Sequence, residues 1–214
     1  MKKKQIRLTI PAVFLAAILL IFFGFFYWKE HKTLIIDQNP AVYTYEDLVS
    51  DTEILKSCYA SVFSVNSLGE TVDGRQILHF VIGDKEASRK ILITGGIHAR
   101  EYITCQLVMK QTVSFLEHLS NGDSYGDISY DDLLRDTAIH VICMVNPDGI
   151  SISQLGLDGV QTDAVRENLS QIAQLDGASL ADSTYLKRWK ANANGVDLNR
   201  NFDALWDSYA DPAG

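Results

Sequence analysis

The stretch "RKILITGGIHAREY" (89–102) decides how the rest of the chain is read. "RKILIT" (89–94), apolar at Ile91, Leu92 and Ile93, has the pattern of a buried strand. Gly95 and Gly96 then permit a tight and unusual backbone. His98, Arg100 and Glu101 follow almost together, where the chain turns into a helix predicted from about Tyr102 to Leu119. Ile103, Leu107, Val108, Phe115 and Leu116 recur at helical spacing along it. A His nitrogen and a Glu oxygen suit zinc, and two His with one Glu form a catalytic set that leaves a coordination position for water. Taken alone, H-x-x-E reads first as a strand-end His hydrogen-bonded to a nearby Glu.

Beyond that helix, "NGDSYGDISYDD" (121–132) reads as a solvated acidic loop, since it lacks the order of an EF-hand. "AIHVICMVNPDG" (138–149) is a second apolar strand that ends at a turn. Two such strands joined by a long helix predict a parallel pair, and an α/β fold with a mixed, largely parallel sheet and flanking helices. The ends at Gly95–His98 and Asn146–Gly149 would then lie on one sheet edge, where open α/β sheets place their sites. On the N-terminal side, "YEDLVSDTEILKSCYA" (45–60) predicts a helix capped by Thr44. "SVFSVNSLGETV" and "ILHFVIG" predict a hairpin turning at "VDGRQ". Residues 150–190 read as a long, polar, irregular functional loop.

A second constellation, "GVDLNRNF" (195–202), places Asp197, Asn199 and Arg200 together. Arg200 offers a planar fork for a carboxylate and Asn199 further hydrogen bonds. Asp197 can accept the remaining N–H of a metal-bound His98.

"TVDGRQI", "GGIHAREY", "NPDG" and "GVDLNRNF", in that order, resemble the zinc carboxypeptidase family (carboxypeptidase A type, peptidase family M14) over roughly residues 43–214. The resemblance implies that His98 and Glu101 are two of three zinc ligands and that Arg100 contacts substrate. It further implies that Asn199 and Arg200 grip a terminal carboxylate, with Asp197 behind the zinc-bound His. "RWKAN" with a membrane-associated N-terminus is similar to the bacterial branch that trims cell-wall peptides. The family's oxyanion arginine follows a tryptophan. This chain reads "KRWKAN", which favours Lys190 over Arg188 for that role, without a bidentate fork.

The family's third ligand is a His in a Ser-rich strand end and its general base a later Glu; neither motif occurs before Gly214. No other histidine substitutes. His140 begins a strand roughly 20 Å from the site edge at ~3.3 Å per residue. His118 lies about 25 Å away along its helix at ~1.5 Å per residue. His31 adjoins the membrane segment, and His79 sits mid-strand as a packed histidine. The expected function is a zinc-dependent metallocarboxypeptidase acting on peptides or muropeptides with a free C-terminal carboxylate. The chain is expected to be an N-terminal part with negligible activity of its own, weak zinc binding and an exposed strand edge. The alternative is an inactive homologue that at most binds peptide C-termini.

The first residues carry a separate signal. Leu8–Trp28 contains no charge and is long enough to cross a bilayer as a helix. It follows Lys2, Lys3, Lys4 and Arg7, which favours a cytoplasmic N-terminus. The expected organisation is a basic tail (1–7), a transmembrane anchor (8–28), a linker (29–42) and an extracytoplasmic domain (43–214) at the cell membrane. Secretion after signal cleavage is the alternative. The chain carries 19 basic and 27 acidic residues; without the six basic and one acidic residues up to Lys32, 13 and 26 remain, a net charge of −13. Such a surface excludes nucleic acid as a partner. Cys58, Cys105 and Cys143 each sit in apolar surroundings and read as free thiols.

Overall fold

The computed structural model describes residues 42–203. The basic tail, the apolar segment 8–28 and nearly all of the linker lie outside the described residues. No helix among the described residues is long and apolar enough to cross a membrane.

Helix α1 (Tyr45–Cys58) starts where the sequence places it. The Thr44 hydroxyl accepts from the Asp47 N–H at 3.1 Å, while the Asp47 carboxylate accepts the Thr44 N–H at 2.9 Å. This reciprocal cap satisfies donors that the first turn would otherwise orphan. Strands β1 (Phe63–Glu70) and β2 (Gln76–Ile82) form the expected antiparallel hairpin. Strand β3 (Arg89–Thr94) leads through a 3-10 turn (Ala99–Glu101) into α2 (Ile103–Asn121). Strand β6 (Thr137–Ile142) pairs parallel with β3, from Arg89 opposite Thr137 to Thr94 opposite Ile142.

The sheet order is β1-β2-β6-β3. The fold is a mixed α/β sheet with helices, but the largely parallel sheet is corrected, because β1/β2 and β2/β6 are both antiparallel. The tight Asp73-Gly74 turn accounts for the first of these pairings, since a parallel crossover needs a dozen or more residues. Strand β3 is not buried on both faces, and its position matches the expected exposed strand edge. Among the described residues it lies at the sheet edge, with Leu92 64% exposed. The buried stripe of α2 runs through Cys105, Val108, Met109, Thr112, Val113, Leu116 and Leu119, whereas Ile103 and Leu107 are exposed.

Two loop expectations are corrected. Residues 121–132 contain a small hairpin, β4 (Ser124–Tyr125) with β5 (Ile128–Ser129), before the short helix α3 (Tyr130–Leu133). Residues 150–190 are largely helical. Helix α4 (Pro147–Leu155) opens with Asn146 capping the Gly149 N–H at 3.0 Å and Pro147 at its first position. A 3-10 turn (Gly156–Gly159) follows, then α5 (Asp163–Leu175) and α6 (Ser183–Lys187). Helix α5 buries Val165, Leu169 and Ala173 and packs Ile172 on the core, an apolar face at helical spacing set among polar residues. Val165 and Leu169 pack with Ala99, Ile152, Val160, Leu186, Trp189 and Ala193 into a core beneath the site edge.

Cys58, Cys105 and Cys143 are free, the last two buried. Burial pushes the Cys105 thiol up to about 12, so it is inert at neutral pH.

His79 and His140 are partners: Nε2 of the first lies 2.9 Å from Nδ1 of the second, with stacked rings. Burial first, and then the charge of His140, holds the His79 imidazole below its usual range. The unfolded chain therefore takes up this proton first, near pH 6.5. Stability from this site is present above that pH and is lost as pH falls towards the lowered folded value. Urea unfolding midpoints are expected to drop between pH 7.5 and pH 5.5, and to drop less in His79→Leu. An equal drop in the variant would show that the pair does not carry the acid sensitivity.

Candidate metal and carboxylate site

The site is assembled from three backbone segments. The β3/β6 ladder continues past the strand ends: the Gly95 N–H donates to Ile142 O (2.9 Å) and the Val145 N–H to Gly95 O (3.0 Å). This close approach explains the two glycines. A Cβ on Gly95 would sit 2.8 Å from Cys143 O, and one on Gly96 would sit 2.6 Å from Ile150 Cδ1. Gly96 also has φ +64, which side chains disfavour.

Asn146 joins the segments. Its Nδ2 donates to Ile97 O (3.2 Å) and to Ala191 O (3.0 Å), and the Ala99 N–H donates to Lys190 O (3.0 Å). The residue before His98 and the residue after Lys190 are therefore held by one carboxamide. Sequence reasoning noted "NPDG" only as a motif; an Asn directly before a helix-opening Pro was the available signal for a cap.

Four of the sequence-predicted residues converge on this frame. His98 Nδ1 faces Glu101 Oε1 at 3.0 Å, and its Nε2 faces Asp197 Oδ1 at 3.2 Å. Lys190 Nζ lies 2.8 Å from the other Asp197 oxygen. The His98 side chain is 13% exposed and that of Glu101 52%, so one wall of the pair is open. Burial alone would raise the Asp197 carboxyl. The Lys190 hydrogen bond, the Asn199 N–H, and the Lys190 and His98 charges outweigh it and hold the group below the usual carboxylate range. Asp197 caps the 3-10 turn Leu198–Arg200 by accepting the Asn199 N–H at 3.0 Å. Asn199 and Arg200 are thereby fixed in sequence next to the His98 partner, with exposed side chains. Arg100 lies beside the pair and lines a cavity of 470 Å³ with Arg188, Trp189 and Lys190.

The donor set can be tested for a cation. An ionised Asp197 only accepts, so His98 Nε2 carries a hydrogen towards it, which fixes the tautomer. A neutral His98 then presents a lone pair at Nδ1 to a carboxylate oxygen 3.0 Å away. Two acceptors at that separation require a cation between them, either a proton or a metal ion. His98 and Glu101 therefore fit as two zinc ligands, with Asp197 orienting the first. Among the described residues, no three or more His, Cys, Asp or Glu side chains are grouped to hold a metal. His79 and His140 are engaged with each other, and His118 Nδ1 with Asp123 at 2.8 Å.

The structure thus brings together the His–Glu pair at the end of β3 and the carboxylate that precedes the Asn-Arg turn, the arrangement the sequence resemblance implied. The family model for zinc carboxypeptidases, Peptidase_M14, matches residues 48–213, and the chain belongs to that family. It is 29% identical over 165 residues to gamma-D-glutamyl-L-diamino acid endopeptidase 1 of Lysinibacillus sphaericus, covering 77% of this chain and 39% of that protein. It is 31% identical over 167 residues to carboxypeptidase B of Astacus astacus, covering 76% and 45% respectively. The crystal structure of carboxypeptidase A from Helicoverpa armigera superposes with a TM-score of 0.52 at 21% identity, covering 78% of this chain and 35% of that one. The chain thus spans less than half the length of the curated relatives it matches.

Proposed function

We propose that the protein acts as a zinc-dependent hydrolase that removes C-terminal residues from peptides with a free terminal carboxylate. The observation that supports this most directly is the 3.0 Å approach of His98 Nδ1 to Glu101, with Nε2 already committed to Asp197. Zinc, when bound, supplies Lewis-acid chemistry, polarising the scissile carbonyl and acidifying water. The chain's own residues do the rest of what can be assigned. His98 and Glu101 hold the metal and Asp197 orients His98. Asn199 and Arg200 clamp the terminal carboxylate and so restrict attack to the last residue. Lys190, held by Asp197, places a cation for the developing oxyanion. Arg100 contacts the substrate.

Substrates drawn from cell-wall peptides are supported by the likeness to an endopeptidase whose name specifies a γ-D-glutamyl-L-diamino acid bond. The uncharged run 8–28 supports an uncleaved anchor that holds the domain outside the membrane. Supplied with zinc, the protein is expected to bind a free-acid peptide more tightly than its C-terminal amide, and to confine any release to the last residue of the free acid. Equal binding of both would remove the clamp. A second reading, a binder of peptide C-termini without turnover, is favoured by the grouping of only two metal donors among the described residues. Zinc-dependent binding of the free acid with no release would decide for it.

A further inference from the structure

The chain is acidic overall, with a net charge of −8, yet the 470 Å³ cavity beside His98 and Glu101 is lined by Arg100, Arg188 and Lys190 against one carboxylate, Asp176. Asp176 accepts a 2.6 Å hydrogen bond from Tyr185, which lines the same cavity. Lys190 is half-committed, because Asp197 holds its ammonium at 2.8 Å. Arg100 and Arg188 form no ion pair with any described residue; Asp182 feels the Arg188 charge only at longer range. Trp189 anchors one wall of the cavity. Trp189 is 6% exposed, donates its indole N–H to Asn192 O at 3.2 Å and packs edge-on against Tyr185. Two guanidinium groups with spare donors that line one concavity next to the candidate site suit a carboxylate.

Neither Asn199 nor Arg200 lines this cavity, so it is separate from the clamp on the chain end. We infer that the Arg100–Arg188 cavity is a specificity subsite for a second carboxylate, making peptides with an acidic residue close to the cleaved bond the preferred substrates. A peptide linked through a glutamate side chain fits this chemistry, since the linkage leaves that residue's α-carboxylate free. The inference rests on the hydrolase reading given above. It assigns Arg188, which is exposed and lines the cavity, as a substrate-selecting residue in its own right.

The test is calorimetric titration of the full 214-residue chain, supplied with Zn²⁺, with pairs of acetylated tetrapeptides. Each pair is identical except for Glu or Gln at one position, and that position is moved stepwise back from the C-terminal residue. At one position Glu is expected to bind about fivefold tighter than Gln at low salt, as for a charge-assisted contact that stays partly open to water. The gap should narrow as added salt screens the charges. Arg188→Gln is expected to bring the Glu-to-Gln ratio close to one, and Arg188→Glu to reverse it, with unchanged melting temperatures because the side chain is exposed. A ratio near one at every position in the unmodified protein, or a ratio untouched by both variants, overturns the inference. C-terminally amidated peptides separate the two claims. If free acid is preferred over amide while Glu and Gln are equal, only the subsite fails; if no peptide binds, both fail.

Discussion

Arg75→Met is expected to lower the unfolding free energy by about 3–5 kcal/mol, as when one partner of a buried ion group is removed. The Arg75 side chain is 3% exposed and donates to Asp73 at 2.7 Å, to Asp148 at 3.1 Å and to Gly159 O at 2.7 Å. The two carboxylates are further satisfied by backbone. Asp73 accepts the Gln161 and Thr162 N–H groups, and Asp148 accepts the Thr71 hydroxyl and the Asp73 N–H. Burial alone would raise the Asp73 carboxyl; the Gln161 and Thr162 N–H groups, the Thr162 hydroxyl and Arg75 hold it below the usual range. Methionine fills the volume but leaves two buried carboxylates without their counter-charge. Arg75→Lys should recover only part of the loss, because an ammonium cannot span both carboxylates and a carbonyl with a fixed fork. The exposed Lys56–Glu53 pair is the contrast: Lys56→Ala should cost less than about 1 kcal/mol. Urea unfolding of the three variants checks the order. A loss under about 1 kcal/mol for Arg75→Met would mean that this network is not a stabilising element.

The same network shows what was legible in the sequence. The Thr44 cap, the hairpin turn at Asp73-Gly74 and the parallel β3/β6 pair were readable because each depends on residues close in the chain or on a simple apolar run. The convergence of His98, Glu101 and Asp197 was foreseen from residue chemistry and family resemblance, and the coordinates bring these groups within 3.2 Å. What escaped was long-range. Nothing local to Arg75 announces a bond to a carbonyl 84 residues away, and nothing local to Asn146 announces Ala191. Helix α5 did carry a readable signal, since Thr162 caps it and Val165, Leu169, Ile172 and Ala173 recur at helical spacing, but that face is set among polar residues and the segment was read by its polarity instead. Strand β3 was expected to be buried because sequence composition cannot distinguish a central strand from one at an edge of the described sheet.

The order of these elements explains why the site depends on residues that never touch a substrate. Asp148 occupies the first turn of α4, two residues after Asn146, and Arg75 ties that turn to the β1–β2 hairpin. Asn146 in turn fixes the carbonyl before His98 and the one after Lys190. Loosening the hairpin turn should therefore reach the metal pair through a continuous chain of hydrogen bonds.

The second large effect is expected at Asp197. Asp197→Asn should weaken zinc binding about 10–100-fold, the usual cost of losing an outer-sphere partner of a metal-bound histidine. Asparagine keeps the size of the side chain, and its carbonyl can still accept from His98 Nε2. It loses the charge that makes the imidazole a better donor to a metal, and it releases Lys190, whose ammonium now sits 2.8 Å from an Asp197 oxygen. A freed cation close to the site would further oppose a divalent ion. Glu101→Gln removes one of the two direct donors and should cost at least as much, whereas Lys190→Met keeps Asp197 ionised and should cost far less. Competition titration against a chromogenic chelator gives all three affinities, with thermal unfolding in the absence of metal as the control for folding. If Asp197→Asn binds zinc as tightly as the unmodified chain while Glu101→Gln does not, Asp197 is a structural cap for the Leu198–Arg200 turn and has no part in orienting His98.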